Sequence, residues 1–128
     1  MRIGLAGVFV DDQDKALRFY TEALGLQVKT DAPYSETERW ISLVSPADPD
    51  GTALTLHLAD EAARSFQTAA RAAGRPWMAF TTDDCQRDYE ALQAKGVSFT
   101  MPPTQFGYGG TDAVFEDGFG NLIDLHQD

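Results

Sequence analysis

The fold is decided by residues 9–28, FVDDQDKALRFYTEALGLQV, because residues 80–99, FTTDDCQRDYEALQAKGVSF, repeat their organisation. Each stretch begins with apolar residues typical of a strand, continues through paired aspartates that can cap a helix, and ends with a glycine followed by another strand. In the first copy, apolar residues recur at helical spacing from Ala16 to Leu24, and Gly25 stands where helices commonly end. The pattern predicts a strand–helix–strand unit that occurs twice.

Three strands are indicated after the helix of each half, because β-branched and aromatic residues gather there between clusters of Gly, Pro and Asp. The predicted strands are residues 26–30, 39–45 and 52–58 in the first half, and 97–101, 111–116 and 121–126 in the second. The halves also end alike, since residues 51–57, GTALTLH, align without a gap with residues 120–126, GNLIDLH. Each half is therefore predicted to be βαβββ.

Residues 61–75 are alanine-rich and predict a helix that links two modules, residues 1–60 and 76–128. A half of about sixty residues buries too little apolar surface to be stable alone. We therefore expect one α+β domain over residues 1–128, in which tandem βαβββ modules form a curved mixed sheet around a cleft.

The composition restricts the classes of partner. Twenty acidic and ten basic residues give a formal net charge of −10, which opposes attraction to nucleic acid and to anionic membranes. Cys85 is the single cysteine, so no intrachain disulfide can form and a cytoplasmic location is expected. No apolar run reaches transmembrane length, and the N-terminal apolar stretch is too short for a secretory signal. The expected partner is a small molecule.

The tandem pattern, with VFVDDQDKALRFYTEALGL near the start and DGFGNLIDLHQ near the end, resembles the vicinal oxygen chelate superfamily. This superfamily includes glyoxalases, bleomycin-resistance proteins and extradiol dioxygenases. The resemblance covers essentially the whole chain, and it implies the fold more specifically than the chemistry, because one fold hosts unrelated activities. It also implies a homodimer, since dimers in the family commonly complete or cover the clefts.

Metal-dependent members of this superfamily hold a divalent ion with one side chain from the first and last strand of each module. The resemblance places these four positions on Leu5, Thr55, Trp77 and Asp124. Only Asp124 is a usual ligand, whereas catalytic sites typically offer three protein ligands. We therefore expect no metal cofactor at the standard site. A displaced divalent-metal site of His57, His126 and Asp124 is the alternative, because strand alternation places these side chains on matching faces.

An apolar cleft with polar groups at one end is the expected binding site. Its predicted ligand-binding residues share the strand faces of the four family positions, or lie on the neighbouring strand: Leu5, Gly7, Phe9, Trp40, Thr55, His57, Trp77, Ala79, Asp124 and His126. The aromatic rings would stack on a flat ligand, while the polar side chains supply hydrogen bonds. Simple core packing of Phe9 and Trp77 is the competing interpretation.

These observations favour a metal-independent small-molecule binder that sequesters drugs or metabolites as a homodimer. The second hypothesis is an enzyme, either a glyoxalase-like lyase or isomerase or a dioxygenase-type enzyme with a non-standard metal. Its catalytic candidates are His57, His126 and Asp124, since histidine titrates near neutrality and suits proton transfer. A noncatalytic partner domain with a vestigial cleft is the third hypothesis.

The glycine-rich residues 104–110 allow two interpretations. They are predicted to connect the two strands of a hairpin. The alternative is a mobile flap carrying Phe106 or Tyr108, because glycine permits large backbone excursions.

Overall fold

The tandem βαβββ order predicted from the repeat is confirmed by the computed structural model, which describes all residues from Met1 to Asp128. The chain forms two compact units, Met1–Ala63 and Arg64–Asp128, here called module one and module two. Each module contains a four-stranded mixed sheet. The α+β class is therefore correct.

Module one has the strand order β1-β4-β3-β2. Its elements are β1 (Leu5–Val10), α1 (Gln13–Arg18), a π-helical segment (Phe19–Ala23), β2 (Gln27–Pro33), β3 (Arg39–Val44) and β4 (Ala53–Leu58). β1 pairs with β4 in parallel, whereas the other pairs are antiparallel. The carboxylate of Asp12 accepts a hydrogen bond from the Lys15 backbone N–H at 2.9 Å, so Asp12 is the N-cap that begins α1.

The core of module one lies between α1 and one face of its sheet. Val8, Leu56 and Ile41 are buried on that face, and Ala16 and Tyr20 are buried on the helical side. By strand alternation, residues 5, 7 and 9 of β1 and residues 55 and 57 of β4 lie on the opposite face. The sheet thus offers one face to the core and leaves the other for a site.

Module two has the strand order β5-β8-β7-β6. Its elements are α2 (Glu61–Ala72), β5 (Ala79–Thr81), α3 (Cys85–Ala94), β6 (Phe99–Gln105), β7 (Thr111–Glu116) and β8 (Leu122–Gln127). Asp84 caps α3 by accepting the Arg87 backbone N–H at 2.9 Å. Cys85 follows this cap, is fully buried, and its thiol donates to the Leu125 carbonyl at 3.6 Å. Burial also raises the pKa of Cys85, which disfavours a reactive thiolate.

Two predicted strands are longer than the sequence pattern indicated. β2 continues to Pro33, and β6 continues through Pro102 and Pro103 to Gln105. The prolines look like strand breakers, but both strands lie at the edges of their sheets. Proline has no backbone N–H to donate. In an edge strand that position can face solvent, so no hydrogen bond to a neighbouring strand is lost and the strand can continue.

Trp77 does not lie on a strand, which corrects its predicted position, because β5 begins at Ala79. Its ring packs edge-on against Phe66 of α2, with 4.9 Å between ring centroids. Phe66 is 52% exposed and Trp77 is half-buried, so this pair packs at the surface of module two and Trp77 does not belong to its core. No helix in the chain combines the length and the apolar character needed to cross a membrane.

Residues 106–110 connect β6 to β7 as a hairpin, as predicted for the glycine-rich segment. The Phe106 N–H donates to the Gly110 carbonyl at 3.0 Å, and the Gly109 N–H donates to the Phe106 carbonyl at 3.0 Å. The rings of Phe106 and Tyr108 stack with 5.5 Å between centroids. The Tyr108 hydroxyl donates to the Asp112 carboxylate, which ties the hairpin to β7.

Candidate functional site

Module one contains a cavity of ≈ 340 Å³, here called the module-one cavity. Its volume lies at the lower end of the range typical of small-molecule sites. Its lining residues are Phe9, Tyr34, Glu38, Arg39, Trp40, His57 and Leu58. Four of these seven side chains carry a planar ring, so the cavity is suited to a flat ligand.

The rings around His57 are tilted against one another. The centroids of Trp40 and His57 are 5.7 Å apart at an interplanar angle of 69°. Phe9 lies 6.1 Å from His57 at 47°, and Tyr34 lies 6.3 Å from Trp40 at 44°. None of these pairs is stacked face to face, so no ring covers the face of its partner. Aromatic ligands favour such offset and edge-on contacts.

The backbone register explains why these side chains converge. β1 and β4 pair Phe9 with His57 and Gly7 with Thr55. β3 pairs Ser42 with Thr55, which brings Trp40, two residues earlier, level with His57. The cavity is therefore built on three adjacent strands of one sheet face.

His57 is held in place by Thr55 and by the absence of a side chain at residue 7. The Thr55 hydroxyl is fully buried and hydrogen-bonds His57 Nε2 at 2.7 Å. A Cβ atom on Gly7 would lie 2.8 Å from Thr55 Oγ1 and 2.9 Å from His57 Cδ2. Such contacts are too short for carbon, so Gly7 is required for this arrangement.

Carboxylates outnumber cations beside the cavity. Arg39 donates to Asp31 at 3.0 Å and to Asp14. The hydrogen bond and charge of Arg39 lower the pKa of Asp14. The Glu38 carboxylate accepts the Leu58 backbone N–H at 3.0 Å. The charge of Arg18 also acts on Asp14, so three carboxylates stand against two guanidinium groups, and the remaining negative charge favours a cationic ligand.

Module two carries a polar cluster on the matching strands. Asp112, Asp124 and His126, here called the module-two cluster, each offer one ligand atom within 4.8 Å of the others. β7 and β8 pair Asp112 directly with His126, and Asp112 Oδ1 lies 2.6 Å from His126 Nδ1. His126 Nε2 lies 3.0 Å from Asp128 Oδ1. Both ring nitrogens of His126 therefore have a carboxylate partner.

Two groups of the module-two cluster, Asp124 and His126, have raised pKa values. Burial, together with the charge of Asp112 and a hydrogen bond to it, raises the pKa of Asp124 to about 6, whereas the charge of His126 opposes this shift. The hydrogen bonds to Asp112 and Asp128 raise the pKa of His126. Asp124 Oδ1 is a buried oxygen without a hydrogen-bond partner. The cluster thus favours an added proton or cation.

The four family metal positions do not fit the ion that metal-dependent relatives hold. Leu5 has no donor atom and is 51% exposed. The Thr55 hydroxyl is engaged with His57, and Trp77 packs on α2. Asp124 alone offers a carboxylate, and one ligand does not hold a transition metal.

The structure brings together some of the sequence-predicted residues. Phe9, Trp40 and His57 line the module-one cavity, with Gly7 and Thr55 supporting His57. Leu5 lies on the same sheet face but does not line the cavity. In module two, β5 pairs Ala79 with Asp124 and Thr81 with His126, so these residues are neighbours in the sheet. His57 thus belongs to one module, and Asp124 and His126 belong to the other.

Several site residues were missed by the sequence analysis. Tyr34, Glu38, Arg39 and Leu58 also line the cavity. In the turn between β2 and β3, the Tyr34 N–H donates to the Glu38 carbonyl. This turn brings the Tyr34 ring back toward Trp40. Asp112 was missed in module two, although aligning the last two predicted strands as a hairpin would have placed it opposite His126.

Comparisons with known proteins agree with this fold. A family model described as the Glyoxalase/Bleomycin resistance protein/Dioxygenase superfamily matches residues 2–125. An uncharacterized protein of Bacillus subtilis (strain 168), YurT, is 46% identical over 128 residues, which cover 99% of each chain. The crystal structure of UcmS2 is 28% identical with a TM-score of 0.82, and covers 98% of this chain and 97% of its own. TnmS3, described as an antibiotic binding protein from Streptomyces sp. CB03234, is 28% identical with a TM-score of 0.78, at 99% and 95% coverage.

Proposed function

This chain belongs to the Glyoxalase/Bleomycin resistance protein/Dioxygenase superfamily, and on that premise we propose that it is a metal-independent binder of drug-like or metabolite-like small molecules. The observation that carries the proposal is the module-one cavity, in which Phe9, Tyr34, Trp40 and His57 present tilted rings. Ring faces of this kind bind planar aromatic ligands by offset stacking and edge contacts. No metal ligand is needed for such binding.

The charge beside the cavity supports a planar cation as the ligand class. Arg39 is paired with two carboxylates, and Glu38 adds a third. Tryptophan and tyrosine faces also attract cations through their ring quadrupoles. A flat cation therefore gains from stacking and from charge, whereas a flat anion gains from stacking alone.

The solved structures support a binding role of this general kind. TnmS3 shares the fold over 99% of this chain and is described as an antibiotic binding protein. Sequestration of an antibiotic-like molecule requires a fitted cavity but no nucleophile. The module-one cavity supports a role of this kind, because it is lined mainly by rings.

Calorimetric titration with two tricyclic probes, cationic proflavine and anionic anthraquinone-2-sulfonate, tests the proposal. The protein is dialysed against EDTA, so binding cannot depend on a metal. We expect saturable binding of proflavine with micromolar affinity, and at least tenfold weaker binding of the sulfonate, about 1.4 kcal/mol. Absence of binding by both probes would overturn the proposal.

The two tryptophans supply a matched pair of variants that locates the site. Trp40 lines the cavity, whereas Trp77 packs against Phe66 in module two. We expect Trp40→Ala to weaken proflavine binding about tenfold or more, and Trp77→Phe to leave it unchanged. In the Trp77→Phe protein, proflavine should quench the fluorescence of Trp40. Equal weakening by both substitutions would contradict binding in this cavity.

The homodimer implied by the family resemblance and the cytoplasmic location stay predictions. Light scattering coupled to size-exclusion chromatography tests the first directly. A mass of 14.0 kDa would show a monomer, and twice that mass would show the dimer.

A further inference from the structure

We propose that Asp112, Asp124 and His126 bind a divalent transition-metal ion within module two. This set is not the one that the family resemblance implies, since it shares only Asp124 with those four positions. It also differs from the displaced set expected from the sequence, because Asp112 takes the place of His57. The proposal goes beyond small-molecule binding, which occurs in the other module.

The strand register brings the three donors together. Asp112 of β7 pairs directly with His126 of β8, and Asp124 lies two residues before His126 on the same face. One ligand atom from each residue lies within 4.8 Å of the other two. Ligands about 2.1 Å from one ion are separated by roughly 3 to 3.5 Å. Small side-chain rotations therefore complete the site, since its backbone is rigid sheet.

A buried oxygen in the cluster has no partner. Asp124 Oδ1 is removed from solvent and accepts no hydrogen bond, although buried polar atoms are normally paired. The neighbouring side chain of Asp112 is only 7% exposed. Two carboxylates in this position repel each other, and a cation between them would satisfy Asp124 Oδ1 and remove the repulsion.

The donor types indicate the class of ion. An imidazole with two carboxylates suits Mn²⁺, Fe²⁺, Co²⁺, Ni²⁺ or Zn²⁺, whereas Ca²⁺ and Mg²⁺ prefer oxygen ligands alone. Metal-bound histidines usually bond a carboxylate through their second nitrogen, and Asp128 lies 3.0 Å from His126 Nε2. His126 Nδ1 then faces Asp112, at 2.6 Å. The Tyr108 hydroxyl donates to Asp112 and orients its carboxylate in the same way.

Titration of the full-length protein with Co²⁺ tests the site, because bound Co²⁺ gives visible absorption bands that report nitrogen and oxygen ligands. We expect one Co²⁺ per chain with micromolar affinity, and displacement by Zn²⁺. Asp124→Asn should weaken binding at least tenfold, about 1.4 kcal/mol, while its amide keeps the shape of the side chain. Asp83→Asn is the matched control, since Asp83 is exposed and pairs with Arg87 outside the cluster.

Asp112→Asn is the second variant, and its folding is checked by thermal melting because it alters the bonds of Tyr108 and His126. A folded variant that has lost Co²⁺ binding supports the site. No absorption band in the unaltered protein, or equal Co²⁺ affinity in unaltered protein and Asp124→Asn, would overturn it. Loss of Co²⁺ binding in His57→Ala but not in Asp124→Asn would also overturn it. Proflavine titration in EDTA is independent of all these outcomes.

Discussion

The two modules place a histidine at the same position of their last strand, and the residue that faces it across the sheet differs. His57 in module one faces the Trp40 ring, with centroids 5.7 Å apart. His126 in module two faces the Asp112 carboxylate at 2.6 Å. The β1–β4 and β5–β8 registers are otherwise equivalent, since Gly7 pairs with Thr55 as Ala79 pairs with Asp124. One backbone therefore supports an aromatic cavity in one module and a polar cluster in the other.

This comparison indicates that the residues on one sheet face specify the fold, whereas the residues on the other face specify the chemistry of each module. Leu56 and Leu125, each of which precedes the histidine of its module, are both buried in the core. The residues beside them, Thr55 and Asp124, point to the opposite face. Thr55 carries a hydroxyl group there, whereas Asp124 carries a carboxylate.

The largest effect is expected in the cores, where the modules are alike. Leu56→Ala and Leu125→Ala should each lower the free energy of unfolding by about 3 kcal/mol, because each deletes a buried aliphatic side chain and leaves a cavity. Urea denaturation measures this. Leu5→Ala is the control, since Leu5 is 51% exposed and should cost less than about 0.5 kcal/mol. A cost at Leu56 or Leu125 no larger than this control would contradict the equivalence of the cores.

A smaller and unequal effect is expected where each main helix begins. Gln13 donates to the carbonyls of Arg39 and Leu56 at 2.7 and 2.9 Å, and accepts the Arg39 N–H at 3.0 Å. Cys85 is the equivalent residue after the second cap, and its thiol makes one weak bond, to the Leu125 carbonyl. Gln13→Ala should cost about 2 to 3 kcal/mol, because it leaves buried groups unpaired, and Cys85→Ala about 1 kcal/mol. The reverse order in urea denaturation would refute this reading of the two helix starts.

The next comparison concerns the residue beneath each histidine. Gly7→Ala brings a methyl group within 2.8 Å of Thr55 Oγ1, so we expect a loss of about 1 to 2 kcal/mol from overpacking. His57 should also move, which weakens proflavine binding severalfold. Ala79→Gly removes a methyl group at the equivalent position and should cost less than about 1 kcal/mol. Calorimetric titration and urea denaturation of the two variants separate these effects, and an unchanged proflavine affinity in Gly7→Ala would refute the role of Gly7.

The smallest effect is expected at the exposed ion pairs. Asp14→Asn removes one carboxylate beside Arg39 in module one, so proflavine affinity should fall about twofold at low salt and the difference should vanish at high salt. Asp83→Asn removes the corresponding type of exposed pair in module two and should leave proflavine affinity unchanged. Calorimetric titration at two salt concentrations measures both. A salt-independent loss in Asp14→Asn would indicate a structural rather than an electrostatic role.

The fold was predictable because its signals are local and occur twice. The capping aspartates Asp12 and Asp84 and the strand patterns lie within single stretches of sequence, and the structure confirms them. The predicted ends of β2 and β6 came too early, because clusters containing proline were taken as strand boundaries. Only the sheet order shows that both strands lie at sheet edges, where proline is tolerated.

The candidate site was less predictable, because it depends on partners from distant segments. Phe9, Trp40 and His57 were found by strand alternation along their own strands. Asp112 and Tyr34 were missed, since the importance of each depends on the strand register that brings it to His126 or Trp40. Trp77 was misplaced because the family resemblance put it on the first strand of module two, whereas β5 begins two residues later, at Ala79.

Because the strand registers of the two modules are equivalent, two substitutions in either module would exchange the residues that flank its histidine. Aspartates at residues 40 and 55 would place beside His57 the two carboxylates that Asp112 and Asp124 place beside His126, on strands paired in the same way. The reverse exchange, a tryptophan at residue 112 and a threonine at residue 124, would give His126 the neighbours that Trp40 and Thr55 provide for His57. A repeated βαβββ unit can therefore carry an aromatic cavity in one copy and a polar cluster in the other, while Leu56 and Leu125 keep their places in the two cores.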